Sequence, residues 1–204
     1  MSTVMPCPAW CEEHDEPDPF APGDGDHHCG RPRPVLVEEP ARPGLPVLFV
    51  QLNAHDCDGL RYSWIDLVAP SRVHAEMTAA QARQLAEALI ACGDLWDSRI
   101  LADSIPWAHL CPLWCSQHDE ARDPKAEQWH SGQPWTVPVI GPQLCGSRVR
   151  VRLCAKDTRF DRRLFVCLTV RDDEAVELTG PEARRTAAAL LNAADDLDNP
   201  LHRT

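Results

Sequence analysis

Cys7-Pro-Ala-Trp-Cys11-Glu-Glu-His14-Asp-Glu16 returns 104 residues later as Cys111-Pro-Leu-Trp-Cys115-Ser-Gln-His118-Asp-Glu120. Downstream of each copy the similarity continues without a gap at a shift of 101: Val50 falls on Val151, Leu52 on Leu153, Asp56 on Asp157, Arg61 on Arg162, Thr78 on Thr179 and Leu89 on Leu190. A register held over about fifty residues, in one order behind one motif, is the mark of duplication. The chain therefore divides into two units, residues 1–104 and 105–204, with the boundary expected within 100–110.

Each unit carries the same element pattern. Leu48, Val50 and Leu52, and in the second copy Val149, Val151 and Leu153, recur with period two, which is a strand with one face on a core. Return strands are expected over 62–68 and 164–170, short third strands ending at Met77 and Leu178, and early strands over 34–37 and 136–140. The intervening His-Asp-Cys-Asp-Gly-Leu and Lys-Asp-Thr-Arg-Phe-Asp segments suggest hairpin loops of several residues. Thr78-Ala-Ala-Gln81 and Thr179-Gly-Pro-Glu182 are capping boxes, and Pro181 suits a first turn, where its missing N–H is not needed. Leu85, Leu89, Cys92 and Trp96 form one apolar stripe, and Ala187, Leu190, Leu191, Ala194 and Leu197 the other. The fold class is α+β, two tandem repeats, each a metal knuckle plus a small antiparallel sheet covered by its own C-terminal helix.

Cys-x3-Cys-x2-His with a later His is a metal-ligand spacing. The expected ligands are Cys7, Cys11, His14 and His28 in the first unit, and Cys111, Cys115, His118 and His130 in the second. Two thiolates and two imidazoles suit tetrahedral Zn²⁺, giving two zinc ions per chain. Pro8/Pro112 and Trp10/Trp114 stiffen the first loop and anchor it. The last ligand closes a longer loop of 13 residues in one copy and 11 in the other. His28 is preferred over its neighbours His27 and Cys29 because it aligns with His130 through a glycine two residues on. Four protein ligands leave no open coordination position, so the zinc is expected to be structural.

Composition narrows the rest. The N-terminus has neither basic flank nor apolar run, and no stretch reaches the length of a membrane span, so a cytoplasmic protein with no membrane contact is expected. Ten cysteines in such a compartment read as ligands or buried thiols before disulfides. Cys92, Cys154 and Cys167 are expected as buried small hydrophobes, and His55, His74, His109 and His202 as solvated. The net charge of −11 opposes bulk attraction to nucleic acid. It is uneven: residues 1–104 hold 7 Arg and 17 Asp/Glu, whereas 105–204 hold 13 Lys/Arg and 14 Asp/Glu. Arg148, Arg150 and Arg152, followed by Lys156, Arg159, Arg162 and Arg163, make a local cationic patch. No phosphate loop, dinucleotide glycine run, serine elbow or His-Glu-x-x-His motif occurs.

With Cys-Pro-x-Trp-Cys-x2-His, a later His-x-Gly, a hairpin and a helix opened by Thr-x-x-Glu/Gln-Ala-Arg, the sequence resembles an uncharacterised family of short actinobacterial proteins, here in tandem. The resemblance implies a zinc-binding domain and supplies no catalytic residues. A non-enzymatic interaction or regulatory module with a protein partner is the expected function. A nucleic-acid-binding regulator using the basic patch is the alternative.

Overall fold

The computed structural model describes residues 5–16, 25–36, 46–69, 74–102, 111–119, 128–139, 148–157, 162–170 and 174–199. The first repeat lays down β1 (Cys11–Asp15), β2 (Asp26–Gly30), β3 (Arg33–Leu36), β4 (Pro46–Cys57), β5 (Leu60–Val68), β6 (His74–Met77) and α1 (Ala79–Ala102). The second repeats the order as β7 (Gln117–Asp119), β8 (Gln128–Ser131), β9 (Trp135–Pro138), β10 (Arg148–Asp157), β11 (Arg162–Val170), β12 (Glu174–Leu178) and α2 (Gly180–Asp198). Part of the expected boundary, 103–110, lies outside the described residues.

Each repeat forms a six-stranded antiparallel sheet, β1-β2-β4-β5-β6 with β3 also on β4, and β12-β11-β10-β8-β7 with β9 also on β10. β4 takes two partners end to end: β2 pairs with its far half and β3 with its near half. Strand alternation sorts the faces. Leu48, Val50, Leu52 and Ala54 of β4 are buried with Ile65 and Leu67 of β5, and at the end of the same face stand Asp56 and its partner Arg61. The core end and the knuckle end of one sheet face are thus written by one period-two pattern.

The first hairpin is tighter than the sequence suggests. Cys57 pairs with Leu60, and only Asp58 and Gly59 turn the chain, at φ 53° and 76°. Two successive left-handed residues are the requirement of a type I′ turn, for which Asp-Gly is among the best pairs. The several-residue loop expected there is replaced by a two-residue turn; residues 158–161 of the second hairpin lie outside the described residues.

Both helices start where the capping boxes place them. The Thr179 side chain accepts from the Glu182 N–H while Glu182 accepts from the Thr179 N–H, and Gln81 reaches back to the Thr78 N–H at 2.9 Å. Their packing differs from expectation. α1 and α2 lie against each other, and each rests mainly on the other repeat's sheet, α1 on β9, β10 and β11, α2 on β3, β4 and β5. Gln81 Nε2 donates to Pro138 O at 2.7 Å, and Trp96 Nε1 to Leu164 O at 3.1 Å. The apolar stripe of a helix states that it must be covered, not by which sheet. Alanines at 82, 86 and 88 of α1, and at 183, 187, 193 and 194 of α2, widen the buried face and let the helices come close. One continuous core results, drawing on both repeats.

Ion pairs repeat the exchange with pseudo-twofold symmetry. Arg83 reaches Asp195 at 2.8 Å and Asp198 at 2.7 Å, and Arg184, its equivalent, reaches Asp94 at 2.9 Å and Asp97 at 2.5 Å. These are exposed and contribute orientation more than stability. The two helices also meet closely at Gly180, where a Cβ would stand 2.6 Å from Trp96 Cε3. Gly180→Ala is expected to destabilise the chain by about 1–3 kcal/mol through overpacking, read as a lower denaturant midpoint.

Candidate metal centre

Both knuckles begin with a tight turn. The Cys11 N–H donates to Pro8 O at 3.0 Å and the Cys115 N–H to Pro112 O at 2.9 Å, bringing the two thiols of each knuckle to one side. Trp10, 4 % exposed, closes the turn over Gly30, where an added Cβ would lie 3.2 Å from both Trp10 O and Leu52 Cβ. The glycine two residues beyond the histidine is therefore the seat of the tryptophan; Trp114 sits over Gly132 in the same way.

β2 and β8 carry the histidines in. His28 and His130 are 1 % and 3 % exposed. His28 Nδ1 lies 3.5 Å from Cys7 Sγ and 3.6 Å from Cys11 Sγ. Tetrahedral bonds of about 2.3 Å to sulfur and about 2.0–2.1 Å to nitrogen place such atoms ~3.6 Å apart, so the cluster has the spacing of a metal site. In the second repeat one donor atom from each of Cys111, Cys115 and His130 lies within 4.8 Å of the others. Burial and the neighbouring Cys7 thiol push Cys11 up to about 11, and burial with Cys115 raises Cys111. Crowded thiols of this kind ionise together when a cation shares the space.

The structure adds a layer that spacing alone does not name. His28 Nε2 is 3.1 Å from Asp56 Oδ2, and Arg61 grips Asp56 with two bonds, Nε to Oδ1 at 2.6 Å and Nη2 to Oδ2 at 2.5 Å. His130, Asp157 and Arg162 repeat this at 3.1, 2.6 and 2.6 Å. A carboxylate on the far nitrogen fixes the ring orientation and the tautomer that leaves Nδ1 as the donor. The sequence held the signal, since Asp56/Asp157 and Arg61/Arg162 keep their places across the repeat in segments where other polar residues do not.

Of the neighbours His27, His28 and Cys29, the one drawn to the thiols is His28. His27 and Cys29 alternate to the opposite sheet face, where His27 stacks on His55 with centroids 4.3 Å apart. His14 is paired with His28 in the β1–β2 register, its ring edge-on to that of His28 at 4.6 Å, with Nε2 3.6 Å from Asp26. It stands beside the three-residue cluster. His118 is paired with His130 in register, and its side chain lies outside the described residues.

The basic patch is dispersed. Arg162 turns to Asp157, Arg163 pairs with Glu177 at 3.2 Å, and Lys156 lies 5.1 Å over the Trp129 ring. Arg148, Arg150 and Arg152 share the face of β10 away from the helices; Arg159 lies outside the described residues.

A family described as a domain of unknown function (DUF6907) matches residues 1–102 and again residues 101–204. The chain belongs to that family. It is a tandem DUF6907 protein, each copy bringing one Cys/Cys/His cluster that can hold a metal ion. No curated protein and no solved structure matches the chain. No helix among the described residues is long and apolar enough to cross a membrane.

The Arg61 guanidinium, against the cost of burial and with help from His28, holds the Asp56 carboxyl below the usual carboxylate range. Its contribution is complete above the ordinary carboxylate value and is lost as pH falls through the lower folded value. Asp56→Asn is expected to flatten the acid limb of stability below about pH 4. At neutral pH the same variant should weaken metal binding about 10–100-fold, measured by competition with a chromophoric chelator.

Proposed function

We propose that the chain is a non-enzymatic zinc protein, a protein-interaction or regulatory module in which two structural Zn²⁺ ions clamp the two sheets. The observation that carries the reading is the twice-built relay from Cys-Cys-His to aspartate to arginine, with sulfur-to-nitrogen spacings in the first repeat that fit tetrahedral ligation. His14 and His118 complete the ligand sets, which closes the coordination sphere and assigns zinc no catalytic role. Cobalt substituted for zinc tests this: tetrahedral spectra with two sulfurs at both sites support it, and an exchangeable water ligand overturns it. The reduced thiols suit a cytoplasmic setting.

The interaction role is supported by the contrast between outer sheet faces. Asp66, His74 and Glu76 mark that of the first repeat, and Arg148, Arg150 and Arg152 that of the second. Exposed Leu60, Tyr62, Trp129 and Trp135 add apolar anchors. Quantitative capture from the native lysate should recover a stoichiometric protein partner; a chain that stays alone contradicts the role. Nucleic-acid binding through Arg148, Arg150 and Arg152 is the second reading, favoured by their common face. Failure to bind at low salt, where phosphate attraction is greatest, removes it.

A further inference from the structure

On the outer face of the second sheet, away from the helices, Cys154 and Cys167 pack with Phe165 in a small buried cluster of their own. Both thiols are nearly inaccessible, at 4 % and 6 % exposure. Cys154 pairs with Phe165 and Cys167 with Arg152, so the two cysteines are diagonal neighbours across β10 and β11. Diagonal positions in an antiparallel pair stand about 7–8 Å apart, beyond the roughly 4.4–6.8 Å between Cα atoms that a disulfide spans. A linear sulfur–metal–sulfur bridge sets an ion and two bonds between the sulfurs where a disulfide has one bond, and so spans a wider Cα separation.

Charge points the same way. The Cys167 thiol is lowered, first by its neighbour Cys154, then by the Thr169 hydroxyl and by Arg152, while Cys154 is raised by Cys167 and by burial. One thiol is thus pushed toward thiolate while the other keeps its proton. A monovalent cation replacing that proton leaves the local charge unchanged, with Arg152 opposite Cys167 offsetting the second thiolate. Its Nε is buried with no hydrogen-bond partner among the described residues. Among the described residues the Ser131 hydroxyl lies 3.8 Å from Cys154 Sγ and the Thr169 hydroxyl 3.6 Å from Cys167 Sγ. Zn²⁺ requires four donors and finds two thiols here; a soft d¹⁰ monovalent ion is satisfied by two. The first repeat has Asn53 and Asp66 at these positions, joined by a 2.7 Å hydrogen bond, so the thiol pair belongs to the second repeat alone.

We propose that Cys154 and Cys167 form a two-thiolate site for a soft monovalent cation of the copper(I) class, separate from the two Cys/Cys/His clusters. On binding, the cation takes both sulfurs and the remaining thiol proton leaves to solvent, with no change of oxidation state.

The test is anaerobic titration of the zinc-loaded full chain with Cu(I) against bicinchoninate, with zinc counted in the same sample. The comparison variant is Cys154→Asn with Cys167→Asp, which installs the hydrogen-bonded pair the first repeat already uses. The wild type is expected to retain one Cu(I) with its zinc in place, and the variant none. Arg152→Gln keeps both thiols and should weaken Cu(I) at least tenfold with zinc content unchanged. Equal copper uptake by wild type and double variant, or zinc lost in step with copper gained, overturns the proposal. So does a Cys154–Cys167 disulfide formed in the folded zinc-loaded chain by diamide. Loss of zinc on purification, by contrast, bears on the Cys/Cys/His clusters and leaves the copper comparison readable.

Discussion

Chelating the metal from the full chain is expected to unfold the knuckle end of each sheet and bring the whole molecule close to, or past, its unfolding midpoint at room temperature. Structural zinc contributes about 10–16 kcal/mol per site in small peptides at neutral pH, as much as the whole net stability of about 5–15 kcal/mol typical of a domain. The reason is local. Among the described residues β1 pairs with β2 alone, and the second-repeat equivalent β7 with β8 alone. Once Cys7 and Cys11 let go, His28 remains buried on Asp56 with no ligand on Nδ1, and Arg61 and Asp56 lose the ring they orient. Amide exchange should accelerate first in β1, β2, β7 and β8, then along the far ends of β4 and β10. Added Zn²⁺ should restore protection. Cys11→Ser is expected to reproduce the effect at the first site only. A chelated chain with unchanged exchange and melting would contradict this account of the stability.

Trp96→Ala is expected to lower stability by about 3 kcal/mol and to loosen the sheet of the second repeat, although Trp96 belongs to the helix of the first. Removing a large aromatic side chain costs about 3–5 kcal/mol where it is fully buried; Trp96 is partly buried, which sets the lower figure. Its indole also satisfies Leu164 O in β11 and fills the space left by the missing Cβ of Gly180. The loss therefore removes a hydrogen bond and a contact between helices together. Exchange in β10 and β11 should rise more than in β5 and β6. The reverse order would mean that each helix serves its own sheet. The exchanged packing also couples the repeats: with one core shared, damage at either end is expected to appear as a single cooperative transition.

Much of this architecture is legible in the chain itself, and the omissions have physical causes. Period-two positions such as Val50 and Val151 locate the strands, and Thr78 and Thr179 the helix starts, because each is a local decision. The motif and the His-x-Gly step pick out His28 and His130, since a glycine is needed where Trp10 covers the strand. The exchange of helices is not local, for an apolar stripe from Leu85 to Trp96 fits either sheet equally. The Asp58–Gly59 turn was open to reading, but surrounding polar residues suggested a longer loop. Asp56 and Arg61 are visible as repeated positions, yet nothing in spacing says that a carboxylate 28 residues from a histidine will rest on its ring. The diagonal thiols are legible only once β10 and β11 are in register.

The most direct measurement is metal content by native mass spectrometry of the purified full chain, beside variants carrying Cys7→Ser with Cys11→Ser, or Cys111→Ser with Cys115→Ser. A twin-site zinc protein should carry two zinc ions per chain in the wild type and one in each variant. A folded wild-type chain carrying no zinc, or variants that keep both ions, would contradict it.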